Sequence, residues 1–193
     1  SNKLNKNLKN KNIFVIPKYL DFFSEIEIFF CQVKEFLRIS KKINIIKNNE
    51  KNTFLKKIRF TIFNPETTLA LRMKFLLKKY IKELDPNFII CTHEGYAWER
   101  MVFNASKEIN PSIKCIGYQH ALFTKSQHAI KRKLKSNYNP DIIWTSGIVS
   151  KKELSQQKKL NGIKIKNIGS LKFNNNHSIK KRNIKKKTTC LIL

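Results

Sequence analysis

Residues 88–120 read FIICTHEGYAWERMVFNASKEINPSIKCIGYQH, and their pattern decides the fold. Phe88–Thr92 is a continuous apolar run of strand length, the pattern of a strand covered on both faces. Residues 97–109 place Ala97, Trp98, Met101, Val102, Ala105 and Ile109 at helical spacing. Ile113–Tyr118 is a second apolar run. Strand, helix and strand in this order make a βαβ unit, whose two strands lie parallel.

The alternation continues downstream. Residues 121–139 form a long basic loop with room for one helical turn. Asp141–Thr145 (DIIWT) is a strand, 148–160 a polar helix ended by Asn161-Gly162, and Ile163–Ile168 (IKIKNI) a fourth strand. Upstream, Asn64-Pro65-Glu66 has the cap, first-turn proline and N-terminal acid of a helix start. The helix it opens runs to Leu84, with Leu69, Met73, Leu76, Leu77, Tyr80 and Leu84 on one face, and Asp85-Pro86 ends it. Residues 18–38 also carry helical spacing, whereas 13–16, 43–46 and 58–63 read as short strands. The expected fold is α/β: a Rossmann-like, mostly parallel sheet flanked by helices.

Composition bounds the function. The 193 residues hold 40 Lys plus Arg against 13 Asp plus Glu, a net charge of +27. Apolar residues at 41% exclude a disordered chain. Cys31, Cys91, Cys115 and Cys190 lack paired spacing, which argues against a disulfide scaffold or a zinc ribbon. No apolar run reaches the length of a membrane span. Only six basic residues are Arg, and bidentate readout of bases and phosphates favours Arg, so nucleic acid is not the expected partner. The Lys, Asn and Ile excess fits A/T-rich codon usage. It also fits attraction to anionic partners: peripheral contact with anionic membrane head groups, anionic glycans or nucleic acid.

The chain begins at Ser1 and closes on Thr188-Thr189-Cys190-Leu191-Ile192-Leu193, which opens like a strand. Residues 172–187 (KFNNNHSIKKRNIKKK) are polar and basic, as a linker would be. The expected division is a Rossmann-like domain over 1–171, a linker over 172–187, and the first strand of a second domain over 188–193.

In open α/β sheets ligands bind beyond the carboxyl ends of the strands. Those ends carry His93-Glu94-Gly95, Gln119-His120, Ser146-Gly147 and Gly169-Ser170. Glu94 and His93 can act as general bases, and His120 as a base or hydrogen-bond donor. Glu99, in the first turn of the following helix, is open to both a base role and a dipole-complementing role. Tyr96 and Trp98 suit packing first and ligand stacking second. No GxGxxG, GxxxxGK[ST] or GxSxG occurs, and the four His lack metal-ligand spacing, so no metal is expected.

Glu94-Gly95 with Trp98-Glu99, Gly117-Tyr118-Gln119-His120, Thr145-Ser146-Gly147 and Ile168-Gly169-Ser170 occur in order over residues 85–173. In this set the chain resembles bacterial surface-polysaccharide glycosyltransferases of the GT-B fold. The resemblance implies an N-terminal acceptor-binding domain, present here, and a nucleotide-sugar-binding domain beyond it. It implies Glu94 as base, with His93 or His120 orienting the acceptor. Gly95, Tyr96, Glu99, Gln119, Ser146, Gly147 and Ser170 would line the acceptor site. The implied partner is a glycan or lipid-linked acceptor, and no cofactor is expected in this part of the chain. Two other readings stay open: a basic Rossmann-like module that binds nucleic acid without catalysis, and a polyol-phosphate transferase of similar shape.

Overall fold

A computed structural model describes residues 20–46, 48–121, 128–169 and 190–193. The chain divides into two compact units, Ser1–Leu76 and Leu77–Leu193. The first contains α1 (Phe22–Ile45), α2 (Asn49–Thr61) and the beginning of α3 (Pro65–Leu84). Asp21 caps α1 by accepting the Ser24 N–H at 3.0 Å, and Asn48 caps α2 by accepting the Lys51 N–H at 3.0 Å. Residues 43–46 and 58–63 are therefore not strands. Residues 43–45 end α1, whose inner face Ile43 continues, and 58–61 end α2, the helix that the Asn48 cap opens. The run at 13–16 and the linker at 172–187 lie outside the described residues. Leu69, expected on the packed face of α3, is exposed, while Ala70, Leu76, Leu77 and Ile81 are buried.

The second unit is built on one sheet. Its strands are β1 (Phe88–Thr92), β2 (Lys114–Gln119), β3 (Ile142–Thr145), β4 (Lys164–Asn167) and β5 (Cys190–Ile192). Their order is β4-β3-β2-β1-β5, and every neighbouring pair is parallel. The four strands read from the sequence are thus consecutive parallel neighbours. Cys190–Ile192, expected to open a second domain, lies on this sheet beside β1, with Ile89 opposite Leu191.

Register assigns the faces. Cys91, Gly117, Ile143 and Ile165 stand in one row across four strands. That face carries α4 (Ala97–Ile109) and α5 (Ile148–Ser155). Phe103 of α4 meets the ring of His93, which lies against Gly117, and Leu154 of α5 clusters with Ile130, Ile143 and Leu160. Successive right-handed crossovers stepping in one direction put both helices on the same side. The expected helix over 148–160 stops at Ser155, and a separate 3-10 turn covers Lys158–Leu160. The loop after β2 contains one 3-10 turn at Ser136–Tyr138.

An ion pair ties the amino-terminal edge of the sheet. Lys107 of α4 donates to Asp141 Oδ2 at 2.8 Å and to the Ile113 carbonyl at 2.8 Å. Asp141 Oδ2 also accepts the Cys115 N–H at 2.8 Å. The thiols of Cys91 and Cys115 sit inside β1 and β2, and burial pushes them up to about 12 and about 11, so both stay protonated and inert at neutral pH.

Gly117 is demanded by packing. A Cβ there would stand 2.7 Å from His93 Cβ and 2.9 Å from its Cγ. Gly117→Ala is expected to cost about 1–3 kcal/mol through overpacking. Gly147, around which a Cβ would meet nothing within 4 Å, should tolerate Ala at under about 1 kcal/mol. Thermal denaturation of the two variants checks this, and equal losses would contradict it.

Candidate functional site

The carboxyl ends of β1, β2 and β3 form one rim. Between β1 and β5 the strand order reverses direction, and loops leaving neighbouring strands at such a point part to open a crevice. Residues 93–96 leave β1 at that point.

The loop's shape comes from Glu99. This carboxylate lies in the first turn of α4 and is buried. Its Oε2 accepts the N–H groups of Glu94 at 2.9 Å, Gly95 at 2.7 Å and Tyr96 at 2.9 Å. Its Oε1 accepts the Glu94 N–H at 3.1 Å and the Thr92 hydroxyl at 3.3 Å. The free N–H groups at the helix start and in the approaching loop thus converge on one buried charge. Burial by itself would raise the Glu99 pKa. The hydrogen bonds donated by the N–H groups of Glu94 and Gly95 outweigh burial, so the carboxyl is held below its usual range. With its lone pairs committed to these donors, Glu99 is a structural anion, and the base role open to it from the sequence falls away.

His93 is likewise not at the surface. Its side chain is 1% exposed, packed between Phe103 and Gly117. Nδ1 lies 3.6 Å from Glu99 Oε2, too far for a hydrogen bond, and neither ring nitrogen has a hydrogen-bond partner. Burial lowers its pKa against the pull of Glu99, so the ring is neutral at pH 7. The expectation that His93 meets an acceptor is corrected here: the side chain is sealed and reaches the rim only by backing Glu99.

Glu94 and His120 do come together. Glu94 Oε1 accepts the N–H of Ala121 at 3.2 Å and of His120 at 3.3 Å, and stands 3.7 Å from His120 Nδ1. The Glu94 side chain is 8% exposed and that of His120 48%. The His120 ring stacks on Tyr118, centroids 6.1 Å apart and planes 28° from parallel. Tyr96, exposed, caps α4 next to Glu94. Tyr118 enters the site only through this stack. Its place one residue before Gln119, on the opposite face of β2 from Gly117, was the available signal.

The other expected residues divide. Gln119 is fully buried and donates to the Ala121 carbonyl, shaping the turn rather than facing solvent. Ser146 follows β3 on the same rim, its N–H bonded to the Gln119 carbonyl at 3.1 Å, and Gly147 caps α5 with open space around it. Gly95 adopts φ 93°, and a Cβ there would meet the Ala129 carbonyl carbon at 2.5 Å. Its small size therefore admits the backbone of residues 129–130. Ser170 lies outside the described residues.

Arg100 holds the far loop. It is buried and donates to Asn139 Oδ1 at 3.0 Å and to the carbonyls of Ala129 at 3.1 Å, Arg132 at 2.8 Å and Tyr138 at 3.3 Å. Sequence periodicity missed Arg100 and Glu99 as core residues, because both are charged.

Among the described residues, no group of three or more His, Cys, Asp or Glu is arranged to hold a metal ion, and no helix is long and apolar enough to cross a membrane. Searches against protein families, curated proteins and solved structures find no match for this chain.

The buried pair sets an acid limit. His93, with its folded pKa below its ordinary 6.5, binds its proton more weakly folded than unfolded. Its contribution is complete above about 6.5 and is lost as pH falls below that. Glu99, depressed below its ordinary 4.5, adds stability above that value that is lost as pH falls through the folded pKa. The thermal midpoint should fall from pH 7 to 5 and more steeply below. His93→Gln should flatten the pH 7–5 segment, and an unchanged slope would assign it to other groups.

Proposed function

We propose that this chain is the acceptor-binding part of a glycosyltransferase of surface polysaccharide or lipopolysaccharide biosynthesis. The reaction transfers a sugar from a nucleotide-sugar to a hydroxyl of a glycan or lipid-linked acceptor. The observation that carries this reading is the pairing of Glu94 with His120 at the rim of a parallel sheet, next to the strand-order reversal.

Glu94 is the general base. One oxygen, Oε1, is held by the His120 and Ala121 N–H groups. The carboxylate takes the proton of the acceptor hydroxyl as its oxygen bonds to the anomeric carbon. The anomeric carbon–phosphate bond breaks, and the electron pair leaves on the nucleotide diphosphate. His120 orients the acceptor, and its stack on Tyr118 together with exposed Tyr96 supplies apolar faces of the kind sugars lie against. Ser146 and Gly147 extend the same rim. The resemblance assigns donor binding to a second domain, and no metal enters the role given to this chain.

In the full-length protein, Glu94→Gln should lower the transfer rate about 10²–10⁴-fold and leave the thermal midpoint close to that of the parent. Glu99→Gln should do the reverse in kind. Its amide turns an N–H donor toward N–H donors and costs about 1–3 kcal/mol of stability. Sugar transfer and melting measured on both variants separate the roles, and parental turnover in Glu94→Gln would refute the assignment.

A further inference from the structure

Two short basic segments of the second unit are held beside each other. In the loop after β2, Ile130 is fully buried in one cluster with Ile143, Leu154 and Leu160. Arg100 grips that loop by donating to the carbonyls of Ala129 at 3.1 Å and Arg132 at 2.8 Å. Lys133 Nζ ties it to the turn after α5 by donating to the Asn161 carbonyl at 2.6 Å. In that turn the Leu160 N–H donates to the Gln157 carbonyl at 2.9 Å and the Asn161 N–H to the Lys158 carbonyl at 3.2 Å. Both backbones are therefore set before any ligand arrives, which lowers the ordering cost of binding.

Between the two segments lies a cleft of about 570 Å³. His128, Lys131 and Arg132 line it from the loop, and Lys158 and Lys159 from the turn. Ile130 and Leu160, the apolar residues within these basic runs, are buried in the core, and their neighbours border the cleft. Lys and Arg make up 40 of the 193 residues but four of the seven that line this cleft, and none of the seven is acidic, so the clustering exceeds what composition supplies. Like charges gathered at one concave site repel each other, and an anion seated among them relieves that repulsion.

The chemistry of the lining selects the ligand. A singly charged anion would leave most of these donors unmatched. A diphosphate group brings several charges and several acceptor oxygens, which suit an Arg fork and Lys point charges together. The volume is that of a small-molecule site, not of a groove that tracks a polymer. An adjoining cleft of about 470 Å³ shares Gln156, Gln157 and Lys158 and is lined further on by Leu160, Ile163 and Ile165, which gives room for an uncharged part of the same molecule. We propose that the basic cleft binds a small diphosphate-bearing molecule, with the phosphates between Arg132 and Lys158. The site shares no residue with the Glu94–His120 pair and does not rest on the transfer reading, since binding is measured without acceptor or sugar donor.

Calorimetric titration of the full chain with pyrophosphate at low ionic strength should give a single site. Arg132→Gln with Lys158→Gln should weaken binding at least about tenfold at an unchanged melting temperature, because both residues are exposed. Lys164→Gln with Lys166→Gln removes the same charge from exposed positions of β4 that do not line the cleft, and should weaken binding less than about threefold. A nucleoside diphosphate titrated alongside separates the sources of the group: tighter binding than pyrophosphate places the rest of the molecule in the adjoining cleft, and equal binding assigns the cleft to the phosphates alone. Absence of pyrophosphate binding overturns the proposal. So do equal losses in the two double variants, which would leave net charge as the cause, and so does binding at many equivalent sites.

Discussion

A single buried carboxylate organises the second unit's rim. Three consecutive N–H groups, from Glu94 to Tyr96, point at Glu99, whose side chain is buried. A buried anion is tolerated only when donors surround it. Here the donors are the loop, so the charge and the loop conformation require each other. The neutral ring of His93 closes the remaining side, and it fits only because Gly117 has no side chain. The position of Glu94 at the rim follows from that set of contacts.

The next residue on α4 performs the matching task for the other wall. Arg100 gathers carbonyls from Ala129, Arg132 and Tyr138, with Asn139 Oδ1 as a further acceptor. Asn139 in turn accepts the Leu134 N–H at 2.8 Å and donates to the Leu134 carbonyl at 2.7 Å. A long basic loop, costly to order on its own, is held by one guanidinium whose donors would otherwise be buried unpaired. Gly95 completes the arrangement by letting residues 129–130 approach its Cα. Adjacent residues of one helix thus anchor the loop after β1 and the loop after β2, which is how Glu94 and His120 meet.

Function follows from what that meeting leaves exposed. Glu99 and His93 are spent on architecture, while His120 and Tyr96 are exposed beside Glu94, whose side chain is 8% exposed. The glycosyl-transfer reading assigns the proton acceptor to Glu94, whose Oε1 accepts two N–H groups from a neighbouring strand end.

Apolar runs and spacing alone determined the parallel βαβ series. Phe88–Thr92 is a continuous apolar run because an inner strand has little polar face to show, whereas Ile163–Ile168 alternates with Lys164 and Lys166 because it forms the exposed edge. The same logic misread 43–46 and 58–63, since a short, mostly apolar segment fits a helix end as well as a strand, and for 58–63 the Asn48 cap was the distinguishing signal. The strand-end rule placed Glu94 and His120 in one neighbourhood from sequence. It could not separate Glu94 from Glu99, or rim from core for His93, because two carboxylates five residues apart look alike until the chain folds. Only tertiary structure decided that one is ringed by N–H donors in the interior and the other lies at the rim beside His120: burial and hydrogen-bond supply are properties of the packed loops, set by Gly117 on the neighbouring strand and by Arg100, which draws in residues 129–139 from further along the chain.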